Sequence, residues 1–185
     1  MHVDNSKMYL KVLQKFGLSV LLLLAVIGTS SAQKKADYGV LLKSGEYVLY
    51  TFPLKSGNKT VMVCAQKNDG YIVYRFGTKQ KVELQYPTVL NKASWTAFRY
   101  SGYSRSGPNN AAMEAHALSF KNNNVDYVIY DNWDAEDDQR RPLITIDVNG
   151  KKSEFKGGVL SVQGSLGELR FKQNLIENHY WDDGI

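Results

Sequence analysis

Lys81-Val-Glu-Leu-Gln-Tyr86 decides the fold class, because Val82, Leu84 and Tyr86 alternate strictly with Lys81, Glu83 and Gln85. Successive side chains of an extended chain point to opposite faces, so this stretch reads as a strand with one buried and one wet face. Working outward, short runs rich in β-branched and aromatic residues recur at Glu46 to Phe52, Lys59 to Ala65, Tyr71 to Phe76, Trp95 to Tyr103, Glu114 to Phe120, Val125 to Tyr130, Leu143 to Val148, Ser153 to Lys156 and Glu168 to Lys172. Between them lie Lys43-Ser-Gly45, Lys55-Ser-Gly-Asn58, Asn68-Asp-Gly70, Asn122-Asn-Asn124 and Asn149-Gly150, where Gly and Asn tolerate the positive φ that turns need. Asn149-Gly150 is the strongest hairpin signal, joining Leu143–Val148 to Lys151–Phe155 through two residues. The expectation is an all-β domain, an antiparallel β-sandwich or barrel of about 8 to 10 short strands.

The chain does not begin in that domain. Lys7, Lys11 and Lys15 precede the apolar run Leu18 to Ile27, and Thr29-Ser-Ser-Ala32 and Gln33 follow it. This basic, apolar, small-residue order is that of a secretory signal peptide, with Ser30 and Ala32 at the −3 and −1 positions and cleavage expected after Ala32. The apolar run is about half the length a helix needs to cross a bilayer, so no membrane span is expected after cleavage. Met8 offers a second, later start with a shorter n-region, and no cysteine follows the apolar run to carry a bacterial lipid anchor. The expected organisation is therefore a signal peptide over 1–32 and a single all-β domain over 33–185.

Removing the leader changes the charge. The 185-residue chain has 23 basic and 18 acidic side chains, net +5; without Lys7, Lys11, Lys15 and Asp4 the balance is 20 against 17, net +3. With both signs interspersed, the domain lacks the dense one-sign stripe of a nucleic-acid footprint, and no nucleic-acid partner is expected. Cys64 is the only cysteine, so no intramolecular disulfide can form; in the apolar run Thr60-Val-Met-Val-Cys-Ala65 it reads as a small core hydrophobe. An intermolecular disulfide and a nucleophilic thiol are its rival readings.

Three features of the sequence bear on chemistry. The acidic stretch Asp131-Asn-Trp-Asp-Ala-Glu-Asp-Asp138 offers oxygens to a hard cation, but it lacks the EF-hand glycine and distal glutamate and reads as a solvated hairpin tip near Arg140 and Arg141. Arg99-Tyr-Ser-Gly-Tyr-Ser-Arg-Ser-Gly-Pro108 runs from a strand into a Gly/Ser loop with flat, hydrogen-bonding side chains, so Arg99, Tyr100, Tyr103 and Arg105 form the candidate binding surface. A catalytic set is not legible. Ser56-Gly-Asn-Lys59 lies in a turn, no nucleophile elbow, phosphate loop or His-Glu-x-x-His occurs, and His116 and His179 are the only histidines after the leader. No cofactor and no metal site are expected. Tyrosine brackets three strands, at Tyr47/Tyr50, Tyr71/Tyr74 and Tyr127/Tyr130; strict alternation sends the two members of each pair to opposite faces.

Val63-Cys-Ala-Gln-Lys-Asn-Asp-Gly-Tyr-Ile-Val-Tyr-Arg-Phe-Gly77, Val82-Glu-Leu-Gln-Tyr-Pro87, Tyr103-Ser-Arg-Ser-Gly107, Leu118-Ser-Phe120 and Tyr127-Val-Ile-Tyr130 resemble small exported bacterial β proteins of uncharacterised function. The resemblance spans roughly the central half of the domain and implies a bacterial exported domain with no particular activity. A more distant likeness, in export, size and β content, is to the C-type lysozyme-inhibitor barrels, whose Ser-Gly-x-x-Tyr loop plugs the lysozyme cleft. Here Ser101-Gly102 leads to Arg105 at the tyrosine position, and Cys64 alone cannot form that family's disulfide.

The sequence thus points to a periplasmic or secreted binding module of the bacterial envelope with an undefined ligand or partner. The alternative is an assembly factor docking through a sheet edge or a tyrosine face. A lysozyme-inhibitor-like protein or a hydrolase is the third reading, because paired carboxylates for glycoside hydrolysis are brought together by the fold.

Overall fold

In the computed structural model, residues 36–172 and 175–179 are described. The expected leader, 1–32, lies outside the described residues. The described chain forms eleven strands in two sheets, joined by short 3-10 turns. The first sheet holds β1 (Glu46–Pro53), β2 (Thr60–Gln66), β3 (Ile72–Thr78), β4 (Lys81–Tyr86) and the two-residue β10 (Gln163–Gly164), in the order β10-β1-β2-β3-β4. The second holds β5 (Arg99–Gly107), β6 (Asn110–Asn122), β7 (Val125–Asp134), β8 (Gln139–Val148), β9 (Lys151–Lys156) and β11 (Glu177–His179), in the order β11-β5-β6-β7-β8-β9. Every pairing is antiparallel except β11 on β5. No described helix is long and apolar enough to cross a membrane.

Local chemistry accounts for much of this. Asn149 and Gly150 both have positive φ (54° and 82°), the requirement of the two-residue turn that pairs Val148 with Lys151, and the Asp147 carboxylate accepts the Gly150 N–H at 2.7 Å. The facing sides of the two sheets share one core: Phe52, Val63, Ile72 and Tyr74 from the first, and Tyr100, Leu118, Ile129 and Ile144 from the second. Aromatic rings fill its centre, with Phe120 stacked on Tyr127 at 4.8 Å and on Tyr86 at 4.5 Å between centroids. A smaller cluster, Leu41, Met62, Cys64 and Val73, forms on the outer face of the first sheet beneath the 3-10 turn Gly39–Leu41. Cys64 is fully buried there, and burial pushes its thiol up to about 12, which leaves it protonated and inert.

Several expectations need correction. Glu168 to Lys172 is not a strand but part of the 3-10 segment Leu166–Lys172, whose near-threefold period puts both Leu166 and Leu169 into the core. Trp95 belongs to the 3-10 segment Lys92–Ala97, started by the Asn91 side chain accepting the Ala93 N–H, so the strand begins only at Arg99. The tyrosines of Tyr47/Tyr50 share the core side, because the register shifts between Val48 and Tyr50 and the extra residue Leu49 also turns inward. The acidic stretch is strand as far as Asp134, leaving only 135–138 as the hairpin tip.

Candidate functional site

The inner face of the second sheet changes character along its strands. On β6 the inward positions are Glu114, His116, Leu118 and Phe120, and their partners on β7 are Trp133, Asp131, Ile129 and Tyr127. On β8 the same rows end in Arg140, Pro142, Ile144 and Ile146. Alternation therefore places a polar row at one end of the space between the sheets and an apolar row at the other.

At the polar end, Glu114, His116, Asp131, Trp133, Arg140 and Ser165 line a cleft of about 230 Å³. Asp131 is 4% exposed and receives four hydrogen bonds: Arg140 Nε at 2.6 Å, Arg140 Nη2 at 2.8 Å, Ser165 Oγ at 2.9 Å and the Leu166 N–H at 3.0 Å. The fork of Arg140 matches both carboxylate oxygens, the geometry that makes such pairs strong. Burial opposes the Arg140 charge, but the hydrogen bonds and charge of Asp131 outweigh it and hold the guanidinium above its ordinary value. Arg140 also lies over the Tyr50 ring at 5.3 Å, and Tyr50 Oη donates to the Tyr130 carbonyl at 3.0 Å.

His116 is 2% exposed, with Nδ1 2.9 Å from Tyr100 Oη and Nε2 3.4 Å from Glu114 Oε2. A carboxylate only accepts, so the contact with Glu114 calls for a hydrogen on Nε2, and in that tautomer Nδ1 accepts from Tyr100. Burial pushes the Tyr100 hydroxyl up to about 12, which keeps it a donor. Two glycines make room for this pair. A Cβ on Gly167 would stand 2.9 Å from His116 Nε2, and one on Gly102 would stand 2.3 Å from Tyr100 Oη. Arg170 Nη2 is 3.9 Å from Glu114 on the far side, and Trp133 Nε1 donates to Asp138 Oδ1 at 3.1 Å, which orients the indole.

At the apolar end the two sheets do not close. Leu54, Tyr74, Phe76, Leu84, Tyr127, Ile144, Ile146 and Phe155 leave a pocket of about 420 Å³, with Ser56 and Lys59 also in its lining. Lys59 Nζ sits 2.7 Å from Glu83 and 5.4 Å from the Phe76 ring centroid, and its side chain is 44% exposed. Ser56 and Lys59, read from sequence as turn residues, both line this cavity.

The sequence-derived surface is divided by the strand pleat. Arg99 and Tyr103 are exposed on the outer face of β5, and Arg105, half-buried, donates from Nε to the Ala111 carbonyl at 3.2 Å. Tyr100 points inward, is 2% exposed and belongs to the His116 network rather than to that surface. Two buried oxygens, Ser101 Oγ and Asn132 Oδ1, have no hydrogen-bond partner among the described residues. Asp131, read from sequence as part of a solvated tip, is instead the buried anchor of the polar cleft. Among the described residues, no group of three or more His, Cys, Asp or Glu side chains is placed to hold a metal ion.

Sequence reasoning also missed Arg75, a charge in the otherwise apolar run Ile72 to Phe76. It pairs with Glu46 at 2.6 and 2.7 Å with both side chains at 0% exposure, donates to the Leu41 carbonyl at 2.9 Å and to Gln85 Oε1 at 2.9 Å. A full-length charge inside a strand of core residues is the signal that could have found it, since such residues are rarely buried unless paired.

Comparison with models of protein families, with curated proteins and with solved structures finds no match to this chain.

Proposed function

We propose that this protein is an exported binding module that takes up a small amphipathic molecule between its sheets, with the apolar body in the pocket lined by Ile144 and Phe76 and an anionic head at Lys59. The observation that carries the reading is the pocket itself. Its volume, about 420 Å³, falls in the range of small-molecule sites, roughly 300–1,000 Å³, and its mostly apolar wall with one cation follows their usual composition. Close-packed interiors leave few voids of that size. A carboxylate or sulfate head can exchange with Glu83 for Lys59, whose side chain already reaches solvent.

Edge docking is the weaker alternative. β9, the outer strand beyond β8, reads Lys-Lys-Ser-Glu-Phe-Lys and is exposed along its length, and lysines on an edge discourage further strand pairing. A second binding reading keeps the outer face of β5, where Arg99 and Tyr103 are exposed and Arg105 is half-buried. The export reading rests on the leader pattern, and N-terminal sequencing of protein recovered from the periplasm or medium is expected to begin at Gln33.

Calorimetric titration of the purified protein with dodecanoate tests the amphiphile reading. Saturable binding with a negative heat-capacity change is expected, since apolar surface is buried. Ile144→Trp should abolish it by filling the pocket, and Lys59→Ala should narrow the preference for dodecanoate over dodecanol. Absence of binding, or binding indifferent to Ile144→Trp, rejects the proposal.

A further inference from the structure

The polar cleft at the opposite end is a second built site, and we infer that it holds a single neutral sugar ring, independently of whatever occupies the apolar pocket. Its charges are interleaved and largely compensated: Asp131 is matched by Arg140, and Glu114 stands between His116 at 3.4 Å and Arg170 at 3.9 Å. An anion entering would meet the carboxylates of Glu114 and Asp131, and a cation would meet the Arg140 guanidinium, with Arg170 behind Glu114. A polyhydroxylated ligand meets neither objection, because each hydroxyl both donates and accepts. Glu114 can accept from it, and Arg140, whose Nε and Nη2 are held by Asp131 and the Gly164 carbonyl, has Nη1 left to donate.

Trp133 supplies what a purely polar cleft would lack. A pyranose has an apolar C–H face as well as its hydroxyls, and an indole is the side chain best suited to cover it while its N–H is held elsewhere. Here Asp138 holds that N–H. The volume, about 230 Å³, lies below the roughly 300–1,000 Å³ of drug-sized sites, which suits one ring and excludes an acyl chain. The glycines at 102 and 167 leave room for the His116–Tyr100 pair, since a Cβ at 167 would press on the His116 ring that forms the cleft floor and one at 102 on its partner, the Tyr100 hydroxyl.

The same geometry argues for binding rather than hydrolysis. Glycoside hydrolysis uses two carboxyl groups flanking the bond, each free to exchange protons or attack. Asp131 is clamped by Arg140 through both oxygens, and its Oδ2 also accepts from Ser165 and the Leu166 N–H, so it serves as a structural anchor and leaves Glu114 without a second unengaged carboxylate within the lining.

Titration of the purified protein with methyl glucoside, methyl galactoside and methyl N-acetylglucosaminide, with inorganic phosphate and methylammonium as charged controls, tests the inference by calorimetry and tryptophan fluorescence. At least one glycoside should bind saturably, with neither control competing. Trp133→Ala and Glu114→Gln should each weaken that binding by about tenfold or more, and Trp133→Phe should retain part of it and guard against a folding defect. Ile144→Trp should leave it unchanged, which separates this site from the amphiphile pocket. No saturable glycoside binding, preferential binding of phosphate or methylammonium, or binding untouched by both Trp133→Phe and Glu114→Gln overturns it.

Discussion

Two carboxylate–arginine pairs in this protein share one chemistry and differ in what covers them. Glu46–Arg75 lies on the outer face of the first sheet, sealed to 0% exposure, with every side open to it occupied by Leu41, Lys43, Tyr71 or Gln85. Asp131–Arg140 lies on the inner face of the second sheet, and its arginine side chain remains 28% exposed beside Trp133 and Glu114. The first pair can only hold the structure together, fastening the 37–42 segment to β3. The second leaves polar atoms facing an open volume, so it can also meet a ligand. Solvent access, set by the neighbours and not by the pair, separates scaffold from site.

The comparison is broken most severely by Arg75→Met, which strands Glu46 without a partner; a loss of about 3–5 kcal/mol in urea unfolding is expected. Adding Glu46→Leu should restore much of that loss, because removing both charges also removes the desolvation cost. Asp131→Asn should cost less, about 1–3 kcal/mol, since Arg140 can turn to water when its partner weakens. A loss as large as that of Arg75→Met would mean that the two pairs are equally structural.

Acid should report on the sealed pair. Burial raises the Glu46 carboxyl, but hydrogen bonds from Arg75, the Lys43 N–H and Tyr71, with the Arg75 charge, outweigh it and hold the group below its ordinary value. A carboxyl depressed on folding contributes its full stabilisation above its unfolded pKa, about 4.3, and loses it as the pH falls through the folded value. Urea midpoints should therefore drop below about pH 4.5, and the drop should be shallower in Glu46→Gln. The smallest effect belongs to Arg99→Ala with Arg105→Ala: stability should stay within about 1 kcal/mol by thermal melting, as for most surface changes. A larger loss would move these arginines from the candidate surface to the scaffold.

The strands were largely legible because their signals are local. Lys81–Tyr86 forms β4 over those same residues, but its alternation breaks where the register shifts opposite Phe76 and Gly77, so Val82 packs in the outer cluster while Leu84 and Tyr86 join the core; Asn149-Gly150 makes its two-residue turn. The failures come where local patterns are overridden or incomplete. Nothing in Tyr47 to Tyr50 announces a bulge at Leu49, and a one-residue shift reverses every later side chain of the strand. Leu166, Leu169 and Phe171 fit an extended run poorly by periodicity, yet only packing against the core distinguishes a 3-10 turn from a short strand. Of the polar cleft, Glu114 and His116 were already placed on a strand, while Asp131 was assigned to a solvated tip because its partner row was not known.

The amino-acid sequence by itself determined the class of structure, since alternation, turn residues and β-branched content act within a few residues of one another. Tertiary structure alone decided the sites. Asp131 and Ser165, or Phe76 and Ile144, are distant in the chain and meet only through sheet pairing and packing, which no local pattern encodes. Which charges became a sealed clamp and which came to line a cleft followed from what the two sheets happened to cover.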